Sequence, residues 1–360
     1  KTIELYLIFY QIFQSKMNKL IVASILAGTA SANLRDRAFY EAKFYDWVQE
    51  HKPTIKNGED FAHFLQNFAN NEDMIETHNK MGKSYTLGHN KFSHMSYDEW
   101  VAYVRLGLAV PDKEPAPFTH SAPKDVSSLP ASVDWTTQTG VVTPVKDQGQ
   151  CGSCWSFSAT GALEGAYAQK YPQSSSWSGF SEQELVSCNT ITDSGCNGGL
   201  MDRAFSYVER NGGLCSEADY PYTSGTTTVD GTCLESSCTI DSKLDIKSHT
   251  DVQTNSDDAL MSALAQQPVS VAIQANQPAF QMYKSGVMTD SCGAKLDHGV
   301  LAVGYGTWTD GTDYYKVKNS WGSSWGMDGY ILLERGGNIN NGAGQCGILS
   351  GPPSYPNMAY

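Results

Sequence analysis

Apolar residues recur along this chain with two different rhythms. Between residues 34 and 81, Phe39, Tyr40, Phe44, Trp47 and Val48 return at three- and four-residue spacing. Phe61, Phe64, Leu65, Phe68 and Ile75 repeat the pattern after Asn57-Gly58, a natural turn. That spacing puts apolar side chains on one stripe, so two amphipathic helices that pack on each other are expected. Pro111, Pro115, Pro117, Pro123 and Pro130 then follow within a short stretch, a density that cannot continue a helix and predicts an extended connector. Beyond it, Ser153 to Lys170 has a helical stripe of Phe157, Ala162, Leu163, Ala166 and Tyr167. From Pro268 the rhythm changes to short β-branched or aromatic runs bounded by Gly, Asp or Asn: Val269–Ile273, Val300–Gly304, Tyr314–Val317 and Tyr330–Leu333. A helical half followed by a β half predicts an α+β fold with a cleft between the halves, where sites usually sit. There is no internal repeat of solenoid period.

At 360 residues the chain is long enough for two or three folding units. Its charge is acidic, with 25 Lys and Arg against 38 Asp and Glu for a net −13, and about −12 of this falls after Leu129. Such a field repels phosphate backbones and anionic lipid, which argues against a nucleic-acid partner. All nine cysteines lie at Cys151 or later. In an exported protein an odd number leaves one thiol over after pairing.

Export is expected. Met17 opens a short basic start with Lys19, an apolar run from Leu20 to Gly28, and the small-x-small end Ala30-Ser31-Ala32, the pattern of a signal peptide cut after Ala32. The sequence begins with Lys1 rather than Met, and whether residues 1–16 belong to the natural product stays open. No apolar run approaches the roughly 20 residues needed to span a bilayer, so stable membrane insertion is not expected. The secretory pathway permits disulfides; its end point, lysosome or vacuole on one hand and the extracellular space on the other, stays open.

The candidate chemistry centres on Gln148-Gly149-Gln150-Cys151-Gly152-Ser153-Cys154-Trp155. Cys154 lies where the helix begins, and a helix N-terminus offers unpaired N–H groups and partial positive charge that favour a thiolate. Only His249 and His298 follow residue 121. His249, in the polar run Lys247–Asp251, reads as a surface residue. His298 opens the apolar run to Val303 and is the candidate base that would activate the thiol. Asn319, in Val317-Lys318-Asn319-Ser320-Trp321-Gly322, can accept a hydrogen bond from the imidazole, with Trp321 shielding it. The amide of Gln148 can reach a developing oxyanion together with the Cys154 N–H.

These blocks, with Gly195-Cys196-Asn197-Gly198-Gly199, resemble the papain-like cysteine peptidases and among them the cathepsin L-like group, over nearly the whole chain from about residue 60. The resemblance implies a two-lobed fold, with a helical left lobe and a β-barrel-like right lobe, preceded by a helical inhibitory prodomain. It assigns 1–32 to the extension and signal, 33–128 to the propeptide with its Pro-rich connector, and 129–360 to the peptidase domain, with maturation between Ser121 and Leu129. The implied activity is that of a thiol endopeptidase made as a zymogen, a monomer that needs no cofactor or metal. Its partners are protein and peptide substrates and its own prosegment.

The same resemblance implies the bridges Cys151–Cys196, Cys188–Cys233 and Cys292–Cys346. Cys215–Cys238 then completes the set, with Cys188–Cys238 and Cys215–Cys233 as the open alternative. Carried over by motif, Leu200, Met201, Ala272, Leu296, Gly299 and Gly351 surround the substrate's second residue, P2. No charge lines that set and Gly351 leaves its floor open, which implies a preference for bulky apolar residues. Gly198 and Gly199 would let the substrate backbone approach, and Trp321 would flank it. In the prosegment, Asp60, Phe64, Phe68, Asn71, Ile75 and Asn79 occupy the positions of the family's helical motif. Gly88, Asn90, Phe92 and His94 fill a second motif, in which His94 stands where an aspartate is usual. A histidine there could charge on acidification and help to release the prosegment, or could simply be solvated.

Two other readings are weaker. Cys151 and Cys154 are spaced as in redox motifs, but the cysteine-rich flanks and the Trp after the pair do not suit one. A zinc site lacks histidines and a second cysteine pair. A catalytically silent homologue that acts as a binding protein is the stronger rival, although all four candidate catalytic residues are present.

Overall fold

The computed structural model describes residues 34–108, 114–290 and 292–359. The signal segment and the extension before it lie outside these. Helix α1, Arg37–His51, starts where the Asp36 side chain accepts the Phe39 N–H. Helix α2, Gly58–Lys80, starts where Asn57 accepts from the N–H groups of Glu59 and Asp60, so the expected turn is an N-cap. The two helices close on a core of Tyr40, Phe44, Trp47, Leu65 and Phe68. Strand β1, Tyr85–Leu87, leads to α3, Tyr97–Val104, which a capping box of Ser96 and Glu99 fixes. The Pro-rich connector carries a short strand, β2, Phe118–His120.

The rest of the chain begins with β3, Val133–Asp134, and three helices: α4, Cys154–Lys170; α5, Glu182–Cys188; and α6, Met201–Asn211. These pack through Trp155, Ala159, Leu163, Leu185, Phe205 and Val208 into one lobe. Strand β4, Ile246–Val252, and helix α7, Asp257–Leu264, open the other. It continues with β5, Val269–Ile273; β6, Tyr283–Met288; β7, His298–Thr307; β8, Asp313–Lys318; β9, Tyr330–Glu334; and β10, Ser354–Met358. The strand order is β1-β6-β9-β8-β7-β5-β10-β4-β2, with β3 also paired to β7. This is the expected α+β, two-lobed fold with a helical unit ahead of it.

The N-terminal helical unit and the connector after it are each built into the sheet. β1 pairs antiparallel with β6, and β2 lies parallel to β4. Tyr85, Leu87, Phe92, Trp100 and Val104 of the N-terminal unit are buried in the same core as Val271, Val300, Val317 and Trp321. Fully burying one such side chain is worth roughly 1.5–3 kcal/mol, so five hold the N-terminal unit firmly.

His249 is not the surface residue that its neighbours in sequence suggest. It is buried within β4, opposite Pro356 of β10, with Asp202 3.9 Å away. The polar run around it becomes a strand because partner strands cover it, which local polarity does not reveal. The cysteines pair as Cys151–Cys196, Cys188–Cys233, Cys215–Cys238 and Cys292–Cys346. Among the described residues Cys154 alone is a free cysteine.

Candidate active site

Cys154 is the first residue of α4, after the N-cap Ser153, and is fully buried. Its Sγ accepts a hydrogen bond from the Gly299 N–H at 3.3 Å, which ties it to the residue after His298. The α4 helix and the start of β7 are therefore the two elements that bring thiol and imidazole to one place. His298 Nε2 lies 2.8 Å from Asn319 Oδ1, and that oxygen also accepts the Ser320 N–H at 2.8 Å. Because Oδ1 acts as the acceptor in both contacts, Nε2 must carry the proton of the neutral ring. Nδ1, buried and without a hydrogen-bond partner, keeps its lone pair. The ring stacks on Trp321, with centroids 5.0 Å apart.

Gln148 is buried and oriented from one end: its Oε1 accepts from Ser320 Oγ at 2.6 Å, so its NH₂ faces the cleft. Ser320, which carries no signal of its own in the sequence, thus joins Gln148 to Asn319 in one network. The Nε2 of Gln148 donates to Cys151 O and to Val104 O of the prosegment, each at 3.1 Å. At the thiol itself the prosegment presents the N–H of Gly107. The carbonyl that fills the Gln148 amide therefore belongs to a different residue from the backbone over the sulfur.

This crossing is very close. A Cβ built on Gly107 would lie 1.9 Å from Gly152 O, so only glycine passes there. Gly107 O accepts the Gly199 N–H at 3.1 Å, and Leu108 pairs with Gly199 in the parallel sense. Gly198 has φ +119°, and a Cβ on Gly199 would meet the Trp155 ring at 2.6 Å. The only local sequence signal for Gly107 is a glycine in an apolar run, which points to no role.

Of the residues assigned to the P2 pocket, Ala272, Leu296 and Gly351 come together, as do Gly299 and Met201. A Cβ on Gly351 would be 2.5 Å from Leu296 Cδ1 and 3.4 Å from Ala272 Cβ, and one on Gly299 would be 3.1 Å from Met201 Sδ. The Leu296 side chain therefore packs against the bare α-carbon of Gly351. Leu108 of the prosegment packs on the cluster that contains Met201 and Ala272. Leu200 is buried at the start of α6, its N–H donating to Asp193 Oδ1. Trp321 lies elsewhere, against His298, Trp325 and the prosegment's Trp100.

Burial sets the electrostatics of the pair. It pushes the Cys154 thiol up to about 11, against the pull of the Gly299 and Gly107 N–H groups. It pulls His298 down to about 4, against the hydrogen bond to Asn319. Under the prosegment both groups are neutral. Behind them, Lys146 is held charged between Glu182, at 2.7 Å, and Glu164, at 3.6 Å, while burial lowers Lys318 to about 8. Among the described residues two groupings have metal-like spacing, Glu184 with Cys215 and Cys238, and Glu235 with Cys188 and Cys233. Their cysteines are disulfide-bonded, which removes the thiolates a metal would need.

Residues 129–355 match the model of the papain family cysteine proteases, and residues 44–100 that of the cathepsin propeptide inhibitor domain. The chain is 41% identical over 330 residues to a senescence-specific cysteine protease of Oryza sativa, covering 91% of this chain and 93% of that one. A recombinant stem bromelain precursor superimposes with a TM-score of 0.78 at 36% identity, covering 89% of this chain and 99% of the other. Digestive procathepsin L 3 of Tenebrio molitor larval midgut does so with 0.74 at 35% identity, over 89% and 99%. The chain belongs to the papain family of cysteine proteases and carries its inhibitory propeptide with it.

Proposed function

We propose that this cysteine protease cuts peptide bonds through Cys154, His298 and Asn319, with Gln148 holding the oxyanion. The observation that carries the reading is the meeting of the one free thiol with an imidazole fixed by Asn319, at Gly299 beside His298. Once the prosegment leaves, Nδ1 of His298 takes the thiol proton and the thiolate attacks the substrate carbonyl. The Gln148 NH₂, vacated by Val104, and the Cys154 N–H receive the negative oxygen. Protonated His298 then passes its proton to the leaving amine. Water, deprotonated by the same ring, releases the acyl group. Replacing Gln148 with alanine is expected to lower kcat by about 10²–10³-fold with a smaller effect on KM. An equal kcat would remove Gln148 from the oxyanion site.

The acyl side of the cleft takes a bulky apolar residue at P2, on the surface that Leu108 now covers. Peptides with Leu or Phe there should exceed those with Arg in kcat/KM by roughly ten- to a hundredfold, because an apolar side chain gains roughly 1.5–3 kcal/mol on burial and a guanidinium finds no partner. Equal rates across the series would refute the pocket.

Latency depends on the approach at Gly107. With Gly107→Ala the new methyl meets backbone, not a flexible side chain. The prosegment must lift, and self-processing at neutral pH should speed up by about tenfold, as expected from the roughly 1–3 kcal/mol cost of overpacking. An unchanged rate would show that this crossing does not limit release. The secretory pathway fits a domain with four bridges. The purified chain, unfolded in denaturant, should then yield one alkylatable thiol without reduction and nine after it, and more than one at the outset would count against that route.

A further inference from the structure

The prosegment lies along the whole cleft, and its contacts order that cleft from end to end. Leu108 pairs with Gly199 and packs on the cluster that contains Met201 and Ala272, the Gly107 N–H meets the thiol and Val104 O the Gln148 amide, while Trp100 and Phe92 meet Trp321 at 5.6 and 6.2 Å. If the Leu108 end takes the acyl part of a substrate, the Trp321 end takes the leaving amine and the residues beyond it. At that end lies an ion pair the reaction does not use, between Lys91 Nζ of the prosegment and Asp147 Oδ2.

Asp147 precedes Gln148 in the chain and its backbone bridges to Trp321. Its Oδ1 accepts the Gly149 N–H at 3.0 Å, which fixes the carboxylate and leaves Oδ2 to the cation. Gly322 makes room: a Cβ there would lie 3.1 Å from Asp147 Oδ2 and 3.7 Å from Lys91 Nζ. Among the described residues no other cation is paired with Asp147, and neighbouring Lys146 points inward to Glu182. Maturation therefore removes the cation paired with a fixed carboxylate beside the catalytic amide.

We propose that Asp147 forms a subsite for a basic side chain at the first or second residue after the scissile bond, with Lys91 as the occupant that the prosegment supplies. Substrates with Lys or Arg there gain the contact that Lys91 gives up. The inference rests on the Cys154–His298 reading, which fixes which end of the cleft holds the leaving amine. Its size is bounded by exposure: the Asp147 side chain is 45% exposed even in the zymogen, so the effect is that of a surface pair.

The test uses the acid-matured enzyme and quenched fluorogenic peptides with Leu at P2 and Lys, Leu or Glu in turn at the first and second positions after the bond. The wild type should favour Lys over Leu about two- to fivefold in kcat/KM at low salt, the ratio falling towards one in high salt. Asp147→Asn should abolish the preference and Asp147→Lys should shift it to Glu. No preference in the wild type, or a preference that survives Asp147→Asn and so reflects only the acidic domain as a whole, would overturn the subsite while leaving the peptidase reading intact. Failure to cleave any of the peptides would overturn that reading and the subsite with it.

Discussion

Replacing Cys154 with alanine is expected to remove peptide hydrolysis by a factor on the order of 10⁵–10⁶, the scale seen when a nucleophile is taken from an intact catalytic triad. The fold should survive, because the site keeps its buried methylene and the Cys151–Cys196 bridge does not involve it. The same thiol explains why the zymogen is silent on two counts. Val104 O occupies the Gln148 amide while the Gly107 N–H lies on the sulfur, and burial holds the thiol protonated with His298 neutral beside it. Departure of the prosegment returns water to the pair and lets both pKa values relax towards each other, so alkylation of Cys154 should be slow in the zymogen and fast in the mature enzyme. Residual hydrolysis by the alanine variant within tenfold of wild type would place the nucleophile elsewhere.

Lowering the pH from 7 to 4 is expected to loosen the prosegment while it stabilises the peptidase domain. His94 packs between Trp47 and Phe64, with centroids at 5.2 and 4.5 Å, and burial pulls it down to about 4. Glu99 favours its charging; His63 and His51 oppose it. A group whose pKa is lower when folded contributes stability in full above its unfolded value, here 6.5, and loses it as the pH falls through about 4. At about 1.4 kcal/mol per pH unit this amounts to about 3 kcal/mol. Burial lowers His51 and His120 in the same sense. Although burial opposes it, His89 and Lys43 hold Glu72 down to about 2, so that contribution persists until stronger acid.

In the peptidase domain His298, lowered to about 4, acts in the same sense as His94, but the buried carboxyls have the opposite slope. Burial raises Glu182, Glu184 and Asp193 to about 7 and Asp297 to about 6. Groups raised on folding contribute most below their unfolded pKa, about 4, and lose that contribution as the pH rises towards 7. Melting the Cys154→Ala zymogen, which cannot process itself, should show a prosegment transition that falls with acid and a peptidase transition that rises. His94→Asn should flatten the first. Superimposable pH profiles of melting and self-processing in wild type and His94→Asn would remove His94 from the device.

Much of this was legible in the chain because its signals are local. The stripe Phe157 to Tyr167 becomes α4, and Val269–Ile273 is a strand with the expected bounds. The cysteine at a helix start and the histidine opening an apolar strand were readable for the same reason. What was hidden depends on partners far away in sequence. β2 lies in Pro-rich chain and forms only because β4 offers an edge. β10 contains Pro356, which argues against a strand until β4 is beside it. Lys146, Glu164, Glu182 and Lys318 each look like solvent-facing charge, yet they meet in the interior, where each makes the others tolerable. Leu296, which packs against Gly351, shows the same limit: the family resemblance named both residues but not that one side chain would lie over the other.

The most direct test is to express residues 33–360, acidify the protein, and track its size together with hydrolysis of a Phe-Arg or Leu-Arg fluorogenic peptide, with Cys154→Ala in parallel. The account predicts loss of roughly the first hundred residues and thiol-dependent hydrolysis, both absent in the variant. A wild-type chain that sheds its prosegment only when another protease clips it, and that never cleaves peptide, would contradict the account.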